Sequence, residues 1–152
     1  MKIEKRPTTN LYPVPVVLVT SIDHDGNPNI ITIAWVGTVC SMPPMVGISI
    51  RSSRYSHELI TRSREFVVNI PTADQLQAVD YCGMVSGRDV NKFEKTGFTP
   101  VSASRVKTPL IKECPVNMEC EVRHILTLGA HDLFVAEIVV NHIDEEVLDE
   151  TG

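Results

Sequence analysis

From residue 116 to residue 127 the side chains alternate one for one. Val116, Met118, Cys120, Val122, His124 and Leu126 fall on one side, and Asn117, Glu119, Glu121, Arg123, Ile125 and Thr127 on the other. A period of two marks a half-buried β-strand. Gly129-Ala130-His131-Asp132 then leads into a second long run, 133–143, and two such strands on a four-residue connection predict an antiparallel hairpin. Val and Ile together number 33 against 15 for Leu and Ala. Stiff β-branched side chains suit a pleated sheet, so the chain is expected to be mostly β with a few short helices.

Residues 1–13 are polar, contain proline and show no periodicity. Strands are expected at 14–22, 30–36, 45–50 and 65–70, the first ended by the turn Asp23-His24-Asp25-Gly26-Asn27-Pro28-Asn29 and the last by Pro71. Pro43 and Pro44 cannot donate to a ladder, so 40–44 reads as a break. Ser56 is placed to cap a helix over 57–62. Thr72 and Gln75 form a capping box for a helix reaching about Tyr81, with Ala73, Leu76 and Val79 as its apolar stripe. Another short helix is expected from near Asp89 to Gly97. Consecutive strands with short helices only in the middle favour a small closed barrel over a doubly wound sheet.

With 152 residues the chain can bury about 68 to 70% of its extended surface, enough for one domain over 1–152 without disulfide or metal. Five of its 19 acids lie in the last nine residues, which leaves 14 acids against 14 bases in the body and no basic footprint for nucleic acid. No run approaches the ~20 apolar residues of a membrane span. The apolar stretch after Lys2, Lys5 and Arg6 is interrupted by Pro13 and Pro15, which speaks against a signal peptide and for the cytoplasm. Neither G-x-G-x-x-G nor a Gly-Lys-Ser/Thr loop occurs. Cys40, Cys82, Cys114 and Cys120 form no C-x-x-C, so reduced, mostly buried thiols are expected rather than a metal or redox pair. His24 and His142 are expected at the surface and His124 in the core.

The segment 51–57 concentrates Arg51, Ser52, Ser53, Arg54, Ser56 and a helix start. Guanidiniums, hydroxyls and the N–H groups of a first helical turn are the parts of a phosphate site. On the residues alone an ordinary polar loop remains the preferred reading.

Six blocks in order carry a resemblance: Ile30-Ile31-Thr32-Ile33-Ala34-Trp35, Ser41-Met42-Pro43-Pro44-Met45-Val46, Ser53-Arg54-Tyr55-Ser56-His57-Glu58-Leu59-Ile60, Glu65-Phe66-Val67-Val68-Asn69-Ile70-Pro71, Ser86-Gly87-Arg88-Asp89-Val90-Asn91-Lys92-Phe93-Glu94-Lys95-Thr96-Gly97, and Gly129-Ala130-His131-Asp132-Leu133-Phe134-Val135-Ala136-Glu137-Ile138-Val139. Together they resemble the flavin reductase-like FMN-binding family, particularly its flavoredoxin branch, over nearly the whole chain. The resemblance implies an antiparallel, Greek-key-like split β-barrel. It also implies a homodimer with one FMN per subunit near the interface, and electron or hydride transfer from NAD(P)H or a redox-protein donor. A flavoredoxin-like carrier without a nicotinamide site and a cysteine-based redox protein are the competing readings.

By the same resemblance Trp35, Val36, Gly37, Thr38, Val39, Cys40 and Ser41 lie along the isoalloxazine, with plain core packing open for Trp35. The phosphate-binding loop maps onto Ser52, Ser53, Arg54, Ser56 and His57, with Arg54 foremost. Lys92 is a second cation near the phosphate or an exposed helix lysine, and Asn69 a cofactor neighbour or a strand-end cap. His131 stands as the catalytic candidate, beside the cofactor or incoming nicotinamide, or else as a hairpin-turn residue. Many members extend beyond the point where this sequence ends, Asp149-Glu150-Thr151-Gly152.

Overall fold

A computed structural model describes residues 1–150. Thr151 and Gly152 lie outside the described residues. The strands are β1 (Val17–Ile22), β2 (Pro28–Ile33), β3 (Val36–Ser41), β4 (Pro44–Arg51), β5 (Glu65–Ile70), β6 (Pro100–Val101), β7 (Leu110–Ile111), β8 (Val116–Thr127) and β9 (His131–Ile143). Three helices, α1 (Tyr55–Ser63), α2 (Leu76–Met84) and α3 (Lys92–Thr96), fall between β4 and β6. Seven strands form one antiparallel sheet in the order β2-β1-β5-β8-β9-β4-β3, while β6 and β7 pair separately.

The sheet coils until its inner faces share one core. Val17 and Val19 of β1, Ile31 and Ile33 of β2, Ile48 and Ile50 of β4, Phe66 and Val68 of β5, Val122 of β8 and Phe134 of β9 all belong to it. Leu18 and Ile30 project the other way, onto Val79, Cys82, Phe93 and Phe98 of the helical side. Covered on both faces, β1 is buried at all six positions, which is why its sequence runs apolar without alternation. β2 and β3 end the sheet order, so the barrel is left open at that seam. No helix among the described residues is long and apolar enough to cross a membrane.

Several elements differ from the expectation. Val36–Ser41 forms a strand rather than a loop, pairing with β4 through Gly37 opposite Gly47 and Ser41 opposite Pro44. Pro44 is tolerated because it is the first residue of β4, ahead of the pairing with β9 that begins at Met45. The alternation of β8 is broken by a bulge at Arg123, where Val122 and His124 face consecutive partners on β9. That extra residue turns Ile125 toward the core and leaves His124 exposed. Asn117 and Glu119, expected on the solvated side, are buried because residues 102–111 strap across that face. His142 is half-buried against Glu119, at 2.6 Å. Among the helices, α1 starts two residues before His57, α3 starts at Lys92 with Asn91 as its N-cap, and Leu76 of α2 is exposed. Thr72 and Gln75 do form their capping box, ahead of α2.

Candidate functional site

The open seam of the barrel and the β4–α1 loop enclose a cleft of about 200 Å³, lined among others by Thr32, Trp35, Ser49, Arg51, Arg54 and His131. Arg51 and His131 face each other across the β4–β9 ladder, so guanidinium and imidazole stand on the same face. His131 is the first residue of β9, and its carbonyl accepts the Leu128 N–H at 3.0 Å, closing the hairpin turn. Burial and then the Arg51 charge hold its imidazole below the ordinary value. Trp35 is 46% exposed, and its ring centroid lies 4.5 Å from that of His131 with the planes tilted 37°. Core packing is thus excluded for Trp35.

Trp35 precedes β3, and its carbonyl accepts the Ser49 N–H at 2.9 Å. In an antiparallel ladder the next residue turns its backbone groups the other way. Val36 and Thr38 therefore present N–H and C=O along the open edge, although the Val36 side chain itself packs on the core. Gly37 and Gly47 leave the neighbouring face low and flat, and a Cβ on Gly47 would stand only 3.1 Å from Val39 and 3.2 Å from Leu133.

The loop after β4 is a tight turn in which the Arg54 N–H donates to the Arg51 carbonyl at 3.0 Å. Arg54 is the N-cap of α1 and no side chain caps that terminus, so the first N–H groups of the helix are left to water or a ligand. Ser52, Ser53 and Arg54 are exposed around them. Two arginines line the cleft here, next in the chain to two exposed serines and an uncapped helix start.

Four expected residues do other work. Ser56 is 1% exposed and accepts from Asn29 Nδ2 at 2.8 Å, which anchors α1 from beneath. His57 Nε2 lies 2.7 Å from Asp132 Oδ2 and its ring meets Phe134 edge-on at 5.3 Å, closing the end of the barrel. The Asp132 carboxyl is held below its usual range, first by that bond and against burial. Asn69 is wholly buried, donating to the Leu18 and Val67 carbonyls and accepting from the Ile111 N–H and Asn117 Nδ2. With its polar atoms so engaged it is a structural hub and not a cofactor ligand. Lys92, 3% exposed, donates to the Ile30 and Cys82 carbonyls at 2.7 and 2.8 Å. Burial pushes its ammonium down to about 8, with the Cys82 thiol opposing and the Arg54 charge adding. It is neither an exposed helix lysine nor a lining residue, and its charge sits behind β2.

Thr32, Ser49 and Arg51 line the cleft without having been assigned from sequence. Only Arg51 carried a signal, as part of the Arg/Ser cluster. Its pairing with a residue 80 positions on is a product of the ladder. All four cysteines are free, with Cys82, Cys114 and Cys120 buried and Cys40 half-buried.

The flavin reductase like domain is matched over residues 9–151. The chain belongs to the flavin reductase-like family. A protein of Archaeoglobus fulgidus is 42% identical over 135 residues, 88% of this chain and 75% of that one. The reductase component of a 4-nitrophenol 4-monooxygenase/4-nitrocatechol 2-monooxygenase from Rhodococcus opacus is 31% identical over 139 residues, 91% of this chain and 70% of that one. Among solved structures, flavoredoxin of Desulfovibrio vulgaris (Miyazaki F) matches with a TM-score of 0.93 at 35% identity, covering 100% of this chain and 81% of its own. An FMN-binding protein from Thermus thermophilus matches at 0.89 and 25% identity, covering 100% and 85%. The fold of this flavin reductase-like protein is the split β-barrel, shared with that FMN-binding protein. Arg51 and Arg54 line the cleft beside an uncapped helix start, donors that suit the phosphate of FMN, and the open edge of β3 begins just after the lining residue Trp35.

Proposed function

We propose that this flavin reductase-like protein is an oxidoreductase that passes electrons from NAD(P)H or a redox-protein donor through bound FMN to an acceptor. The observation that carries the reading is the convergence of Trp35, Arg51, Arg54 and His131 on one cleft beside an uncapped helix start. FMN supplies the electron and hydride chemistry when bound. Arg54 and Arg51, the Ser52 and Ser53 hydroxyls and the first N–H groups of α1 hold its phosphate. Lys92, from behind β2, adds positive potential to that end. The edge of β3 from Val36 to Ser41, through Gly37, Thr38, Val39 and Cys40, offers backbone donors and acceptors to the ring, and Trp35 walls one side. His131, kept neutral by its setting, can take up a proton on an imidazole nitrogen where negative charge builds beside it.

The working molecule is a homodimer in this reading, with the second copy covering β3. Four free thiols suit the reducing cytoplasm. Anaerobic titration of the FMN-loaded protein with NADH and with NADPH tests the activity, and loss of the yellow oxidised spectrum is expected with at least one of them. A spectrum that resists both nucleotides but bleaches with dithionite would reject the reductase reading. It would favour a carrier fed by a redox protein, the reading supported by the 0.93 match to a flavoredoxin.

A further inference from the structure

The motif Ser86-Gly87-Arg88-Asp89 does not line the cleft, yet its contacts converge on the segment that carries Arg54. Residues 86–89 form a turn folded on Ser86, whose hydroxyl accepts the Arg88 N–H at 3.2 Å and whose carbonyl accepts the Asp89 N–H at 3.1 Å. Gly87 presses on Asn29 so closely that a Cβ would run into Asn29 Oδ1 and stand 3.2 Å from the Tyr55 ring. Asn29 in turn donates to the buried Ser56 hydroxyl. From outside, the Arg88 guanidinium lies 4.8 Å from the Tyr55 ring centroid. It also reaches Glu58 Oε2 at 3.0 Å and the Ser53 carbonyl at 3.4 Å. One turn therefore bears on Ser53, Tyr55, Ser56 and Glu58, the residues that bracket Arg54 and the start of α1.

We propose that this turn is a latch on the phosphate loop and that Arg88 is a positioning residue for FMN. It fixes the Ser53 carbonyl and the first turn of α1 so that Arg54 and the open N–H groups face one point. The inference rests on the reading of 51–54 as the phosphate site. Arg88 does not itself serve as the phosphate's counter-charge, because Glu58 occupies it. A lone surface ion pair is worth little, but a planar fork that is also stacked on a ring fixes geometry in a way a point charge cannot.

The test compares dissociation constants for FMN and for riboflavin in wild type, Arg88→Ala, Arg88→Lys and Glu58→Gln. The side chains of Arg88 and Glu58 are 46% and 44% exposed, so the variants are expected to fold. Arg88→Ala should bind FMN about tenfold more weakly, the size of one or two lost polar contacts, and riboflavin as before. Arg88→Lys should not restore FMN affinity, and Glu58→Gln should weaken FMN in the same direction by loosening the clamp. Tighter FMN binding by Glu58→Gln would make Arg88 a direct phosphate ligand and overturn the proposal. Equal losses for FMN and riboflavin would reduce the turn to a structural role, and an unchanged FMN constant in Arg88→Ala would remove the latch. If wild type binds riboflavin as well as FMN, the phosphate reading fails and takes the latch with it. An FMN preference in wild type that Arg88→Ala leaves undiminished sinks the latch alone.

Discussion

Arg54 joins two jobs that proteins usually divide, since its backbone opens α1 and its side chain stands free in the cleft. A guanidinium beside uncapped N–H groups is worth most to a doubly charged oxygen cluster. Arg54→Ala should accordingly weaken FMN binding by about 1.5 to 3 kcal/mol, the range for hydrogen bonds to charged groups, while riboflavin affinity stays unchanged in parallel titrations. Loss of affinity for both ligands would place Arg54 outside the phosphate site. His131 differs in kind, because its ring lies against Trp35 even though Arg51 stands opposite it on the ladder. If its imidazole handles a proton, His131→Ala should slow reduction by pyridine nucleotide on the scale of 10²- to 10⁴-fold and barely alter FMN affinity. Stopped-flow reduction of fully loaded protein decides the point, and a normal rate would strike His131 from the catalytic role.

The strap at 102–111 shows how one element is held by carboxylates from the sheet beneath. Glu119 on β8 accepts from the Ser104, Arg105 and Val106 N–H groups and lies against His142, while Glu65 on β5 accepts from the Lys107 and Thr108 N–H groups. Burial alone would raise the Glu119 carboxyl, but the bonds from His142 and the three backbone groups outweigh it and hold it below the usual range. With the folded value depressed, the unfolded chain takes up its proton first as pH falls. The stabilisation is thus complete above the ordinary carboxylate pKa and lost as pH drops through the folded value. Glu119→Gln should cost about 2 to 3 kcal/mol at neutral pH and flatten the acid side of the stability profile in urea melts at pH 7 and pH 4. An acid limb as steep as that of wild type would contradict this account. The same strap explains what the sequence concealed. β5 and β8 carry their own period and boundaries, but nothing local in 116–127 reveals that Asn117 and Glu119 are covered, or that Arg123 is a bulge. β3 escaped notice because an edge strand exposed on one side, with Gly37 in it, has no alternation to read. The phosphate loop was legible because its donors are neighbours in the chain. The burial of Ser56, Asn69 and Lys92 was not, since each is closed in by residues far away in sequence.

At the scale of the whole molecule, β3 is one of the two end strands of the sheet, with Val36 turned to the core and Val39 exposed. Val39 is 52% exposed and Met42, in the turn to β4, 89%. An edge with unpaired backbone groups and exposed apolar residues invites pairing unless something covers it. The N-terminal segment adds to the same region, because Leu11 and Tyr12 are exposed and line, with Trp35 and Val36, a cavity of about 460 Å³. A stable interface buries about 1,200 to 2,000 Å² in total, more than one six-residue edge strand supplies, so a second copy would have to take in both β3 and this segment. Covering them would also wall the cleft, and ligand binding and association would then be linked by mass action. Sedimentation velocity across a dilution series should show a dimer that FMN stabilises. Met42→Asp, outside the FMN contacts, should shift it toward monomer and weaken FMN binding in a way that recovers at high protein concentration. A Met42→Asp monomer holding stoichiometric FMN with an unchanged dissociation constant would show that one chain completes the site alone.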